Sequence, residues 1–336
     1  MLNPFGTDAF NMVSLTGAIN ILPNRYGKIG NLGLFSDKPV TTRSVVVEER
    51  NGVLCLLPSL PVGSPGTVGV HPKRTVRSFT VPHIPHDDVI LPSDFQGVRA
   101  FGSETEMQTL DRLVNDRLQL MKDKHAITLE WLRMGALKGI IYDGDGATVL
   151  YNLYTEFGIS PKTVDFVLGT GSTNVKSKVL EVKRHIEDNA KGAMFSGVGC
   201  ECSPEFWDAF TDHEDVKEAF LNHSEASQRY GEDNRAGFRF MGVVFSEYRG
   251  NADDASGANH KFITAKHAHF YPIGAPGVFQ TIYAPGNFLE TANTLGLALY
   301  AKMVERPKGD GMDLFTESNP LPICNRPGML VDGYTA

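Results

Sequence analysis

Four side chains able to ligate a metal crowd one short stretch, His83, His86, Asp87 and Asp88, with His71 upstream. A metal centre needs three or four such groups converging from a hairpin or helix. Here Pro82 and Pro85 impose an extended path on which His83 and His86 face different ways, so the stretch reads as a solvated strand edge with turn-forming aspartates. His267 and His269 share one strand face, a spacing that suits a metal pair. No third ligand is near in sequence, and ordinary strand histidines are the expectation. Cys200 and Cys202 stand two apart on a predicted strand and cannot form a relaxed disulfide with each other. Cys55 and Cys324 are too remote in sequence to complete a paired zinc spacing, so small buried hydrophobes are the better reading. Asp143-Gly-Asp145-Gly opens like a calcium loop but fails at Ala147 and at Tyr154, where a bidentate glutamate is needed. Gly169-Thr-Gly171 lacks the third glycine of a dinucleotide loop, that position being Asn174. No phosphate loop, nucleophile elbow or zinc-protease pattern is present. No catalytic, cofactor-binding or metal-binding residue is assigned, and neither enzyme activity nor a cofactor is expected.

The elements that would position such residues are better marked. Residues 1–35 are apolar at Phe5, Phe10, Val13, Leu15, Ile19, Ile21 and Leu22, yet repeatedly interrupted by proline and glycine. They read as an arm that must bury itself on its own body or on a neighbour. Val45–Val47 and Val53–Leu57 flank Asn51-Gly52, the pair that supplies both positive φ angles of a type I′ hairpin turn. Pro58 to Pro72 is dense in proline and glycine and reads as a long exposed loop. Lys73, Arg74 and Arg77 follow it, on a stretch that resumes as a strand through Phe79 and Val81. From about 103 to 139 one long helix is predicted: Ser103 and Glu106 form a capping box, Met107, Leu110, Val114, Leu118, Met121, Leu129, Leu132 and Ala136 make the stripe, and Gly139 stops it. A second helix is expected over 174–191. A third, over 203–221, is capped by Ser203 with Pro204 at its first position. Strands are expected at 238–245, 261–271 and 278–284. Helices and strands without regular alternation favour α+β over a doubly wound sheet.

Composition narrows the class. The chain has 336 residues, 41% of them hydrophobic, with four cysteines and a formal charge of −7. That composition excludes disorder as the main state and a disulfide scaffold. No apolar run approaches the ~18 residues a membrane span requires. The first basic residue is Arg25, so no secretory signal is expected. The balance also argues against a dedicated nucleic-acid binder. The charge is uneven: residues 1–35 and 36–102 each carry +1, residues 103–139 are neutral, and residues 140–336 carry −9. A slightly basic arm and loop precede an acidic body.

The sequence blocks resemble a known family. Arg77-Ser-Phe-Thr-Val-Pro-His-Ile-Pro-His-Asp-Asp-Val-Ile90 and Gln96-Gly-Val-Arg-Ala-Phe-Gly-Ser-Glu104 are similar to the major capsid protein E family of tailed bacteriophages, the lambda type. So are Met134–Gly139, Glu290–Gly296, Ser318–Leu321 and Arg326-Pro327. Pro204-x-x-Trp207-x-x-Phe210 adds to the likeness, and the blocks lie in order over nearly the whole chain. The resemblance implies a Hong Kong 97-like capsid fold. On that basis residues 1–54 are the N-terminal arm and leading hairpin, and 55–80 the extended loop. Residues 81–160 are a peripheral domain with its spine helix, 161–299 an axial domain, and 300–336 the return to the peripheral domain. It implies a structural protein that self-assembles into hexamers and pentamers of an icosahedral shell around double-stranded DNA. The implied location is the virion capsid, assembled in the host bacterial cytoplasm without a membrane. Partners implied are further copies, a scaffolding protein, a portal and a decoration protein. Arg43, Arg50, Lys73, Arg74 and Arg77 are the expected assembly contacts, and Trp207, Phe210 and Trp131 the expected core. The alternatives are a cellular nanocompartment shell of the same fold and, from a different class, a metal-dependent hydrolase using His83, His86 and Asp87.

Overall fold

The computed structural model describes residues 12–21, 27–50, 74–94, 110–221 and 237–336. Its α-helices are α1 (Met12–Ile21), α2 (Lys28–Asn31), α3 (Leu110–Lys138), α4 (Leu153–Phe157), α5 (Val175–Ala190), α6 (Pro204–Asp212) and α7 (Glu214–Leu221). Its first nine strands are β1 (Ser36–Pro39), β2 (Ser44–Arg50), β3 (Arg74–Thr80), β4 (Ile84–Ile90), β5 (Ile140–Tyr142), β6 (Val149–Asn152), β7 (Lys162–Asp165), β8 (Gly197–Cys202) and β9 (Phe238–Phe240). The rest are β10 (Val243–Glu247), β11 (Asn251–Asp253), β12 (Asn259–Lys261), β13 (His267–Ile273), β14 (Phe279–Tyr283), β15 (Tyr300–Glu305), β16 (Met312–Ser318), β17 (Pro320–Cys324) and β18 (Val331–Tyr334). The mixture is α+β, as expected.

Two compact units form, each from three stretches of chain. The first takes Met1–Val45, Thr80–Arg133 and Gln280–Ile323; the second takes Val46–Phe79, Met134–Phe279 and Cys324–Ala336. These divisions differ from the expected domain boundaries, because 134–160 and 324–336 fall in the second unit and 280–299 in the first.

In the first unit, β16 lies between β15 and β4 in an antiparallel sheet, with Thr316 opposite both Ala301 and His86. Among the described residues β4 is an edge strand, the kind of position in which a proline such as Pro85 is tolerated. Leu15 and Ile19 of α1, Leu113, Val114, Leu118 and Met121 of α3, and Ile90, Ala301, Met312 and Leu314 of the sheet make one buried cluster. A second sheet places β1 parallel beside β14, with Ser36 opposite Gln280 and Pro39 opposite Tyr283.

The second unit is built on a six-stranded mixed sheet in the order β7-β18-β13-β8-β10-β9. Phe270 of β13 stacks on Phe166 at 5.6 Å, and Phe210 of α6 stacks on Phe245 of β10 at 4.3 Å. Trp207 is 5% exposed and Phe210 fully buried, while Cys200 and Cys202 are buried on β8. Helix α5 turns Val175, Val179, Val182 and Ile186 inward at helical spacing.

Several expectations need correction. The predicted helix over 203–221 is two helices, broken at His213, whose ψ is 138°. The ring explains the break: Nδ1 accepts the Asp215 N–H at 3.3 Å, and Nε2 lies 3.3 Å from the Thr170 carbonyl, so it must be the protonated nitrogen. The predicted strand 238–245 is a hairpin, β9 and β10, turned at Met241 (φ 50°) and Gly242 (φ 81°). Residues 103–109, with the Ser103–Glu106 capping box, lie outside the described residues, as do Asn51-Gly52, the 53–57 strand, Cys55, His71 and Lys73. Among the described residues, β2 pairs with β3. The stop at Gly139 holds, with φ 79° and a position where a Cβ would come within 2.4 Å of the Tyr154 ring. Trp131 is only half-buried. It lies about 100° around α3 from buried Leu132, on the less buried face with Lys124 and Ile127.

The buried aromatic cluster of the second unit yields a direct expectation. Trp207→Ala lowers stability by about 3–5 kcal/mol, read as a shifted denaturation midpoint, and unchanged melting would contradict the assignment.

Candidate functional site at the root of the long loop

The chain leaves the first unit after Val45 and re-enters it at Thr80, so Arg43 and His83 flank the excursion. One buried carboxylate holds both points. Glu317, 3% exposed on β16, accepts the Asn287 N–H at 2.9 and 3.0 Å and the Asn319 side-chain amide at 2.6 Å. Arg43 reaches its Oε1 at 3.4 Å, and His83 Nδ1 lies 3.0 Å from the same oxygen. Asn319 also donates through its amide nitrogen to the Pro285 carbonyl at 2.9 Å, so its oxygen is an acceptor, 3.0 Å from His83 Nδ1. Two acceptors facing one nitrogen require that Nδ1 carry the proton.

The metal-like histidine–aspartate stretch is thereby taken apart. His83 serves Glu317 and Asn319. His86 Nε2 lies 3.0 Å from the Lys124 ammonium, and burial followed by that positive charge lowers its pKa. Asp88 and Asp94 meet Arg117 of α3 at 3.3 and 3.8 Å. His83 and His86 do face different ways, but Asp87 and Asp88 stand within β4 and form no turn. Among the described residues, no group of three or more His, Cys, Asp or Glu side chains could hold a metal. His267 and His269 do share a face, and tertiary structure brings Asp332 of β18 against both, as hydrogen-bond acceptor for His267 at 3.0 Å and 3.4 Å from His269, rather than as a metal ligand.

Helix α3 holds the N-terminal segment by three charged side chains. Lys122 donates to the Ile19 and Asn20 carbonyls at 2.8 and 3.2 Å, at the C-terminal end of α1, where a cation is favoured. Glu130, 4% exposed, accepts the Ile29 and Gly30 N–H groups at 2.6 and 3.3 Å. Arg133 bonds the Thr281 hydroxyl at 3.3 Å and lies over the Phe35 ring. Thr16 exchanges two hydrogen bonds with Ala301, at 3.1 and 3.2 Å. Leu15, Thr16, Ile19 and Ile29 of the described part of the arm are thus buried on its own unit.

The expected contact arginines are placed as follows. Arg43 is engaged with Glu317. Arg77 donates to the Glu156 carbonyl at 2.7 Å and stacks over Phe157 at 4.5 Å. The side chains of Arg50 and Arg74 lie outside the described residues, as does Lys73. Glu130, Glu317 and Asn319 were not singled out from sequence. The available signal was polarity inside apolar elements: Glu130 in the helix stripe, and Thr316–Asn319 between apolar strand residues. Among the described residues, no helix is long and apolar enough to cross a membrane.

The comparisons with known proteins can be set beside this geometry. The family described as phage major capsid protein E matches residues 11–335. The major capsid protein of Pseudomonas phage KPP10 is 33% identical over 342 residues, covering 97% of each chain. That of Salmonella phage Felix O1 is 30% identical, covering 99% of this chain and 98% of its own. A crystal structure described as that of a prophage capsid protein from E. coli CFT073 aligns with a TM-score of 0.61. It is 14% identical and covers 97% of this chain and 99% of its own.

Helix α3 also carries an acid-sensitive contact. The Thr316 hydroxyl donates to the His86 carbonyl at 2.8 Å, so it accepts from His125 Nε2 at 3.0 Å, which places a proton on that nitrogen. Burial, then the nearby His86 and Lys124, push its pKa from 6.5 down to about 4. A depressed histidine contributes stability that is fully present above the unfolded value and is lost as pH falls toward the folded one. Between pH 7.5 and 5 the loss amounts to roughly 2 kcal/mol. Melting temperature should fall over that range, and His125→Gln should flatten the fall; an equally steep fall in the variant would contradict the assignment.

Proposed function

This chain belongs to the phage major capsid protein E family, and we propose on that premise how its copies build a shell. It is a major capsid protein with the Hong Kong 97-like capsid fold. Copies join as hexamers and pentamers of an icosahedral shell that encloses double-stranded DNA in the virion, after assembly in the host bacterial cytoplasm. The family match from residue 11 to 335, with relatives of matching length, is the observation that carries this reading.

The roles follow the expected order of arm and leading hairpin (1–54), extended loop (55–80), peripheral domain and axial domain, with 134–160 and 324–336 joining the axial unit and 280–299 the peripheral one. The internal contacts support a division of labour among the basic residues. Arg43 and Arg77 have partners within their own chain, so they aim the loop from its roots. Arg50, Lys73 and Arg74 meet acidic patches on neighbouring copies. Residues 140–336 carry −9, which supplies those patches and weakens sticking to a genome that must slide during packaging. A scaffolding protein, a portal and a decoration protein complete the partner set.

Electron microscopy of the purified protein should show closed, uniform shells; small soluble oligomers alone would overturn the proposal. Reversing charge at Lys73 and Arg74 should reduce shell yield several-fold at low salt, with a smaller difference at high salt as screening takes over. Equal yields across salt concentrations would dismiss these contacts.

A further inference from the structure

The sheet face opposite the phenylalanine cluster carries a buried polar row that the shell reading does not use. His269 of β13, 7% exposed, stands opposite Asp332 of β18 and opposite Glu201 of β8. His267 Nδ1 lies 3.0 Å and His269 Nδ1 3.4 Å from the same Asp332 oxygen. A carboxylate accepts, so both Nδ1 atoms carry protons. His269 Nε2 is then a bare acceptor, buried and without a hydrogen-bond partner.

The other groups around it are accounted for. The two oxygens of Glu201 are taken by the Tyr271 and Ser246 hydroxyls at 3.1 and 2.8 Å. Helix α3 contributes the Lys138 ammonium, whose charge acts on His269 and on Asp332. The Tyr154 hydroxyl of α4 donates to the Lys138 carbonyl at 3.1 Å, and the Cys324 thiol of β17 is buried. Asp165 of β7, on the far side of β18, accepts the Val167 N–H at 3.0 Å. Asp332 is the only charged side chain on β18.

We propose that Asp332, set between His267, His269 and Lys138, is a proton-operated latch that keeps β18 in the sheet near neutral pH and lets it open in acid. While β18 is docked, a proton on His269 Nε2 would put an imidazolium in a dry site beside the Lys138 ammonium, with no acceptor for the new N–H. When β18 opens, the ring reaches water and takes the proton freely. Burial first, then Lys138 and His267, hold the docked His269 well below its ordinary 6.5. Below pH 6.5 the open form therefore binds a proton the docked form does not, and opening rises by up to tenfold per pH unit. Burial raises the Asp332 pKa, so a proton taken up by that carboxyl acts in the opposite sense and favours the docked form. Lys138, lowered by burial to about 8, stays charged throughout the window. His267 is about a third exposed and reaches water in both forms.

Hydrogen exchange of the full-length protein, read by mass spectrometry and corrected for intrinsic rates, tests this. Amides 331–334 should open about fivefold more at pH 5.5 than at pH 6.5, relative to amides of α5. His269→Gln should abolish that difference. A pH-independent opening of 331–334, or a pH dependence that the variant retains, would overturn the latch. If the variant does not fold, the wild-type imidazole decides: exchange of the His269 C2–H with no titration down to pH 5 supports the latch, and a midpoint near 6.5 refutes it. Neither readout depends on shell formation.

Discussion

A carboxylate removed from water must find donors for its lone pairs, and the root of the long loop is organised around that requirement. Glu317 draws donors from four places in the sequence: the backbone at Asn287, the amide of Asn319, Arg43 before the loop and His83 after it. Three of the four are polar side chains at positions where the chain could otherwise have been apolar. Leaving the carboxylate short of donors would carry the desolvation penalty of a buried charged group. The two ends of the loop are therefore coupled through one side chain, and a segment of nearly forty residues leaves and returns at points fixed on one sheet.

The same logic extends along α3. An apolar stripe alone would let the helix rotate or slide against its sheet, because hydrophobic burial has no direction. Lys122, Glu130 and Arg133 add direction. They engage the end of α1, the start of α2 and the strand that pairs with β1. An N-terminal segment rich in glycine and proline has little intrinsic structure, so it takes its conformation from these partners.

Much of the fold was legible locally. Stripes at helical spacing marked α3 and α5, Ser203-Pro204 marked the start of α6, and Gly139 marked a stop that Tyr154 makes obligatory. The failures have specific causes. His213 ended a helix because its ring satisfied the next helix's N–H, a choice invisible in hydrophobic periodicity. Met241-Gly242 turned a hairpin without the asparagine such turns favour. Trp131 is large and apolar, yet its place around the helix keeps it half-exposed.

For the site, the sequence by itself determined the class: an α+β subunit whose ordered motif blocks identify a capsid family, with basic residues flanking a long loop and acidity concentrated behind it. Those properties depend on residue identity and near-neighbour spacing, which a linear chain displays. Tertiary structure alone decided which polar residues meet. Glu317 and Arg43 are 274 residues apart, and Asp332 lies 65 from His267. Pairing at such separations is set by sheet register and by how the strands are brought together, and no local pattern encodes it. That is why His83 resembled a metal ligand in one dimension and is a donor to a buried carboxylate in three.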